Sequence, residues 1–458
     1  MCVCAFFLLI FQQRLEDLDF THYYMNVVFK NIRGLLILQI LCYVFPLIVV
    51  PYVSRVVGPS YLGKINFSQS YINYFLLIIN FGFDFTATKR ISIIKDNRKA
   101  LIETFNEVIS AKIVLFVLSL IVFAVLTYSY PVLRKDLMLH CYSFLFCIGG
   151  VFLPVWFFQG IQEIQQLSYI TLIIKLLTSI SIVVLVVSPE TYYWFAICTS
   201  GIQVIGGVVT YFIAVKKYKI PFYFTGLARI WELINSEKLF FLSTVVIHLY
   251  TTTNIFLLGL FVEAKEVGIY TASVKLISIV SSVCITPISQ AFFPEIANRL
   301  NKDKSEGLAM VQRLIPLVFF LTLSGSIILY GFAPFIVKTI YGNKFIEAIS
   351  VFQYLCVIPI LSSLSMFQAQ VMLSLKLDKY IFYISLSAGI ISVCVNLFLI
   401  KQYSYYASAI AYILVEVFIL LVGFIVLQQQ NLAVLIPRQF GFSTVKKSVM
   451  ELIKNKHL

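Results

Sequence analysis

Two lysines and one glutamate lie where no ordinary solvated charge belongs, deep inside long apolar runs. Lys275 falls about eight residues into one run, a depth of ~12 Å at the helical rise, and Lys175 lies equally deep in another, from the opposite side. Glu416 sits near the middle of a third. A charge at that depth costs about 2.5–3.5 kcal/mol even on insertion scales, so it faces a hydrated cavity or a partner. Side-chain snorkelling does not readily return either ammonium to a headgroup. Lysines so placed suit a phosphate. Glu416 is either a proton carrier or the structural partner of one of the lysines.

Uncharged polar residues thicken the first two runs. Gln39 lies in the first, and Asn66, Gln69, Asn73 and Asn80 in the second step by 3, 4 and 7, which puts them on one helical stripe. In water such a stripe is a solvated face; in a membrane it is a wet cavity or a helix–helix seam. Amides both donate and accept, as sugar hydroxyls require. Amides beside lysines fit an anionic glycolipid headgroup better than an apolar cationic drug.

The elements that hold these residues are membrane spans. About twelve apolar runs are long enough to cross a bilayer, at roughly 34–53, 66–84, 108–128, 138–158, 167–187, 193–215, 239–260, 267–288, 314–333, 349–373, 380–400 and 405–427. With 60% hydrophobic and 12% charged residues and a mean hydropathy of +0.93, the chain carries half the charge of a soluble domain, about 25%. The expected fold is all-α and polytopic, with about 12 transmembrane helices in two six-helix bundles around a central cavity, related by a parallel pseudo-two-fold. Leu62-Gly63-Lys64-Ile65-Asn66-Phe67-Ser68 and Val267-Gly268-Ile269-Tyr270-Thr271-Ala272-Ser273 echo each other at matched boundaries of the two halves. The expected divisions are 1–24, an N-terminal extension or an upstream misassigned start before Met25; 25–215, the first bundle; 216–238, a cytoplasmic linker; 239–427, the second bundle; and 428–458, a basic cytoplasmic tail. Pro46, Pro51, Pro154, Pro287 and Pro359 interrupt spans and are expected to kink them.

The net charge of +14 is a matter of topology. Arg55, Lys64, Arg134, Lys135, Lys265, Lys338, Lys344 and Lys401 fall in alternate gaps, whereas the clusters around Lys89–Lys99, Lys216–Lys238 and Arg299–Arg313 fall in the others. That asymmetry places both termini in the cytoplasm and the basic clusters against anionic lipid headgroups. On this reading Lys175 and Lys275 are the basic residues inside spans. No nucleic-acid module accompanies the charge, so nucleic acid is not a partner.

Catalysis and cofactors find no foothold. The chain has no GxxxxGK[ST] loop, no GxSxG and no HExxH, and its gaps are too short for an external enzyme domain. Nine cysteines and four histidines are scattered without metal-site spacing, so no metal or cofactor is expected. The chain is not expected to be an enzyme.

Pro51-Tyr52-Val53-Ser54-Arg55-Val56-Val57-Gly58-Pro59-Ser60-Tyr61-Leu62-Gly63 resembles the signature after the first span of Wzx-type flippases. These form the polysaccharide-transporter branch of the multidrug/oligosaccharidyl-lipid/polysaccharide exporter superfamily. Trp156-Phe157-Phe158-Gln159-Gly160-Ile161-Gln162, Gly268–Leu276, Phe293-Pro294-Glu295-Ile296 and Tyr341-Gly342-Asn343-Lys344-Phe345 are similar to the same family, in the same order. The likeness runs from about residue 28 onward. Where the family often has Glu after Gln-Gly-x, this chain has Gln162 with Glu163 beside it. The resemblance implies inward-to-outward movement of an undecaprenyl-diphosphate-linked oligosaccharide for O-antigen, capsule or exopolysaccharide synthesis. It implies alternating access coupled to an ion gradient, with a glycan polymerase and a chain-length regulator as partners. Arg55 and Lys275 would then contact diphosphate or acidic sugar. A multidrug exporter of the same superfamily, or a polymerase or ligase of lipid-linked glycans, are the competing readings.

Overall fold

The computed structural model describes residues 22–432, 434 and 435, with side chains from Ile48 onward except Val283 and Cys284. The expected segment 1–24 and tail 428–458 therefore lie almost wholly outside the described residues. The described residues are helical throughout, without a strand. The principal helices are α1 (His22–Asn80), α2 (Phe83–Ile94), α3 (Arg98–Ser129), α4 (Leu137–Phe152), α5 (Ile164–Leu185), α6 (Tyr193–Tyr218), α7 (Leu227–Thr251) and α8 (Thr253–Phe261). There follow α9 (Ala264–Val280), α10 (Thr286–Lys302), α11 (Lys304–Gly331), α12 (Ala333–Tyr341), α13 (Ile358–Ser374), α14 (Asp378–Tyr403) and α15 (Tyr405–Gln429).

Among the described residues, 8 helices are long and apolar enough to cross a membrane, or up to 9 when the bent pair α7–α8 is taken as one span. The first two apolar runs share α1, which breaks at Gly58 (φ 76°), a conformation that only glycine adopts without strain. The run at 267–288 is divided among α9, a π-helical turn over Ser281–Ile285 and the start of α10. Prolines mark breaks of helix in several spans: Pro154 precedes the turn Val155–Gly160, Pro287 opens α10 and Pro359 opens α13. The 52° bend between α7 and α8 carries no proline; it falls among Thr251, Thr252 and Thr253.

The apolar packing has three centres. One joins both halves, running from Val53, Ile65 and Phe75 to Ile269, Tyr341 and Phe352. It occupies the end of the molecule that carries Arg55, Lys64 and Lys265. At the other end, which carries the basic clusters, the packing splits. Phe83, Phe105, Trp156 and Phe157 form a cluster in the N-terminal half, and Ile296, Val311, Phe367 and Val371 form one in the C-terminal half. These two share no residue. Helix α7 is the bridge between them: Ile230 and Leu233 join the N-terminal cluster, whereas Leu249 packs against Gly389 of α14. The first turns of α7 thus begin inside the expected linker, 216–238. The two halves are thus fused at one end and separately packed at the other.

Candidate functional site

The fused end is built on small residues. A Cβ on Gly63 would fall onto the Ala264 carbonyl, and one on Gly268 onto the Pro59 carbonyl, both closer than the 3.0 Å that real Cβ contacts essentially never breach. The second segment of α1 and the start of α9 therefore cross backbone to backbone, as glycine-bearing membrane helices do. The two glycines are the pair placed in register by the sequence echo between halves.

One turn inward from this crossing, Asn66 lies buried at the seam. Its Nδ2 donates to Thr271 Oγ1 at 2.8 Å, and its Oδ1 accepts from Lys275 Nζ at 3.1 Å. Lys275 is partly buried and projects from α9 onto α1. Among the described residues no carboxylate forms an ion pair with it. An ammonium has three N–H donors, so a neutral amide leaves capacity for an anionic ligand.

The amide stripe divides its work. Asn66 is consumed by the seam. Gln69 and Asn73 line a cavity of ≈ 280 Å³ with Ser143 of α4 and Phe195, Thr199 and Ser200 of α6. This cavity belongs to the N-terminal half, whereas the sequence placed its cavity between the halves. Asn80 accepts from Lys112 Nζ at 3.0 Å. The side chain of Gln39 lies outside the described residues, although its backbone is part of α1.

Lys112 corrects the sequence reading, which counted only Lys175 and Lys275 as basic residues within spans. It is 1% exposed, the most deeply buried charge of the described residues. Its second bond, 3.3 Å, is to the Gly150 carbonyl. Proline has no N–H, so Pro154 cannot supply the i+4 donor that this carbonyl would otherwise receive; the lysine supplies it. The signal was present in the sequence, since Lys112 falls inside the run 108–128, near its end.

The remaining charges are placed elsewhere. Arg55 donates to the carbonyls of Thr339 and Ile340, capping the last turn of α12. Lys175 is partly buried on α5, a helix that contributes none of the cavity's lining. Glu416 is partly buried on α15 near Tyr250 and Tyr412, and makes no ion pair with Lys275. Glu163 is engaged by Lys217, whose Nζ lies 2.6 Å and 2.8 Å from its oxygens, while Gln162 accepts from Lys95. At the fused end, Lys64 pairs with Asp136 at 2.7 Å and Lys265 with Glu347 at 2.6 Å. The C-terminal half has its own buried network. The Asn254 Oδ1 accepts from Ser392 at 2.7 Å and Asn396 at 2.8 Å, and Asn396 Oδ1 accepts from Ser408 at 2.7 Å.

The chain is 27% identical over 366 residues to an Escherichia coli K12 protein named as an O-antigen transporter, covering 79% of this chain and 88% of that one. It is 25% identical over 405 residues to a Shigella dysenteriae protein of the same name, covering 86% and 98%. Its fold resembles the lipid II flippase MurJ in an inward closed conformation (TM-score 0.69, 13% identity, 92% and 91% of the two chains). It also resembles an inward-facing multidrug resistance MATE transporter of the MOP superfamily (TM-score 0.62, 15% identity, 86% and 95%). A family model described as polysaccharide biosynthesis protein matches residues 28–299. The chain therefore belongs to the polysaccharide biosynthesis protein family.

Proposed function

We propose that this protein flips an undecaprenyl-diphosphate-linked oligosaccharide repeat unit from the cytoplasmic to the outer leaflet of a bacterial cytoplasmic membrane, for O-antigen, capsule or exopolysaccharide synthesis. On this reading the basic end is cytoplasmic, with both termini there, and the halves part between their separately packed ends to admit the headgroup while the lipid tail stays in the bilayer. The observation that carries this reading is Lys275: a partly buried cation on α9, at the junction of the halves, held by one neutral amide. Such a group is suited to a diphosphate that arrives and leaves. An acid in its place, or an ion pair holding it, would argue for a different cargo. Asn66 positions the ammonium, and Gln69 and Asn73 lie on the same stripe. Arg55 and Lys175 lie away from this cluster, and their contribution is to the path and not to the first contact. Glu416, in the C-terminal half, is the candidate for coupling to an ion gradient. A glycan polymerase and a chain-length regulator would take over the product.

The test is complementation of a strain lacking the gene. Lys275→Met should leave the protein folded in the membrane, abolish surface polysaccharide and accumulate lipid-linked units on the inner face. Normal surface polysaccharide from Lys275→Met, Lys275→Ala and Lys175→Ala alike overturns the assignment of the lysines. Drug hypersensitivity of the deletion strain with intact polysaccharide would indicate an exporter of drugs instead.

A further inference from the structure

We infer that the cavity inside the N-terminal half is a subsite for one pyranose ring of the oligosaccharide, separate from the diphosphate contact at Lys275; this rests on the flippase reading above. Neither the Gln69 nor the Asn73 amide has a hydrogen-bond partner among the described residues, although both line the cavity. Most asparagines of the described membrane helices are bonded, so two idle amides lining one cavity are informative. Asn66 bonds Thr271 and Lys275, Asn80 bonds Lys112, and Asn254 and Asn396 bond each other. Both amides are half-buried, and polar groups shielded from bulk water without partners are disfavoured, so the open space in front of them is one that a polar ligand or water fills.

The remaining lining specifies the ligand's chemistry. Thr199 and Ser200 spend their hydroxyl protons on the carbonyls of Phe195 and Ser143, at 2.7 Å and 3.3 Å, which leaves their oxygens as acceptors. The amides add two acceptor oxygens and four N–H donors. Phe146 and Phe195 supply ring surface. Donors, acceptors and aromatic faces together match a sugar, which has hydroxyls around its rim and C–H bonds on its faces. No charged residue lines the cavity, so it is built for a neutral ring and not for the phosphates. Its ≈ 280 Å³ lies at the lower end of the range for ligand pockets, enough for one ring and not for a repeat unit.

Position completes the case. Asn66, Gln69 and Asn73 share a face of α1, and Asn73 lies two turns, about 10 Å, from Asn66 toward the basic end. A diphosphate at Lys275 therefore puts the first sugars within reach of the two amides. Recognition of charge and recognition of sugar are then separable functions on one helix.

Purified protein in nanodiscs would be titrated with two probes: undecaprenyl diphosphate alone, and the lipid-linked repeat unit extracted from a strain lacking the transporter. Wild type should prefer the glycosylated lipid. The double variant Gln69→Met, Asn73→Leu keeps the volume and removes the hydrogen bonds; neither residue has a protein partner to lose, and a melting curve confirms folding. It should lose about ten- to a hundredfold in affinity for the glycosylated lipid, while its affinity for the bare lipid holds. An unchanged preference in the double variant, equal binding of both lipids by wild type, or loss of both lipids by a folded double variant each overturns the sugar subsite while leaving the flippase reading intact. Failure of wild type to bind either lipid overturns the flippase reading itself.

Discussion

Gly63→Val should open the fused end. A Cβ there meets the Ala264 carbonyl, and Gly268 packs in the same way on Pro59, so the clash is with backbone and no side-chain rotation relieves it. Overpacking of this kind costs about 1–3 kcal/mol. The cost falls only on the state in which α1 and α9 touch. If closed and open states of this end exchange, the variant shifts their ratio toward the open state by about 5- to 150-fold. Val267, 1% exposed and packed in the shared cluster, is a suitable reporter. In a background without other cysteines, Val267→Cys should react slowly with a membrane-impermeant maleimide added from outside. Adding Gly63→Val should raise that rate by the same factor. Gly325→Ala serves as the control, because nothing lies within 4 Å of its new Cβ. Unchanged labelling in folded Gly63→Val would refute the seam as a gate. Faster labelling in Gly325→Ala would show that the reporter reads general loosening instead.

Three further outcomes follow from individual contacts. Lys112→Met should cost about 1–3 kcal/mol in detergent unfolding, for the acceptors left on Asn80 and Gly150, and Lys112→Ala more, because it adds a cavity; a Lys112→Met protein of unaltered stability that fails to transport would make this lysine a transport residue. Asn396→Leu should lower the melting temperature by stranding the Ser408 hydroxyl and taking one of the two donors from Asn254, and a neutral result would show that the network is hydrated. At Glu163, burial works to raise the carboxyl, but hydrogen bonds from Lys217 and Tyr218 and the Lys217 charge outweigh it and hold the group below its ordinary 4.5. Its contribution to stability is therefore present above that ordinary value and is lost as pH falls through the lower, folded one. Glu163→Gln should destabilise near neutral pH and match wild type in strong acid; an equal deficit at both would mean that packing, not the ion pair, is responsible.

Much of the fold was legible because hydropathy is a long-range signal: a span is a sum over about 20 residues, and no single substitution hides it. Lys275 and the Asn66–Gln69–Asn73 stripe were legible for the converse reason, since polarity in hydrocarbon is rare enough to stand out one residue at a time. Sequence could not divide the stripe into seam, cavity and lysine partner. That division depends on which helix faces each turn, and α9, α4 and α3 are distant in the chain. Arg55 illustrates the same limit. Its charge and place fitted an anion, but the last turn of α12, some 285 residues away in sequence, takes both of its bonds. Lys112 was missed because a cation near a span's boundary reads as topology, and its reason for being inside is a carbonyl orphaned by Pro154, visible only when α3 lies against α4.

On the flippase reading proposed above, Lys112 is a buried cation kept for structure and Lys275 is one kept for cargo. Both are held by an asparagine of α1, at 3.0 Å and 3.1 Å, so the first contact does not distinguish them. What differs is what else surrounds the ammonium. Lys112 has a second fixed acceptor, lies within a single half and is sealed at 1% exposure, so domain movement leaves it unchanged. Lys275 bridges the halves through its one amide, at the place where fused packing gives way to separate clusters. Any rocking of the halves must stretch or break that bond, and an anion bound there would replace it. On that reading, binding of cargo and closure of the seam are competing uses of the same ammonium. Exchanging the two environments should exchange the two roles: Asn66→Asp, by pinning Lys275 with a permanent charge, should slow transport more than it alters stability.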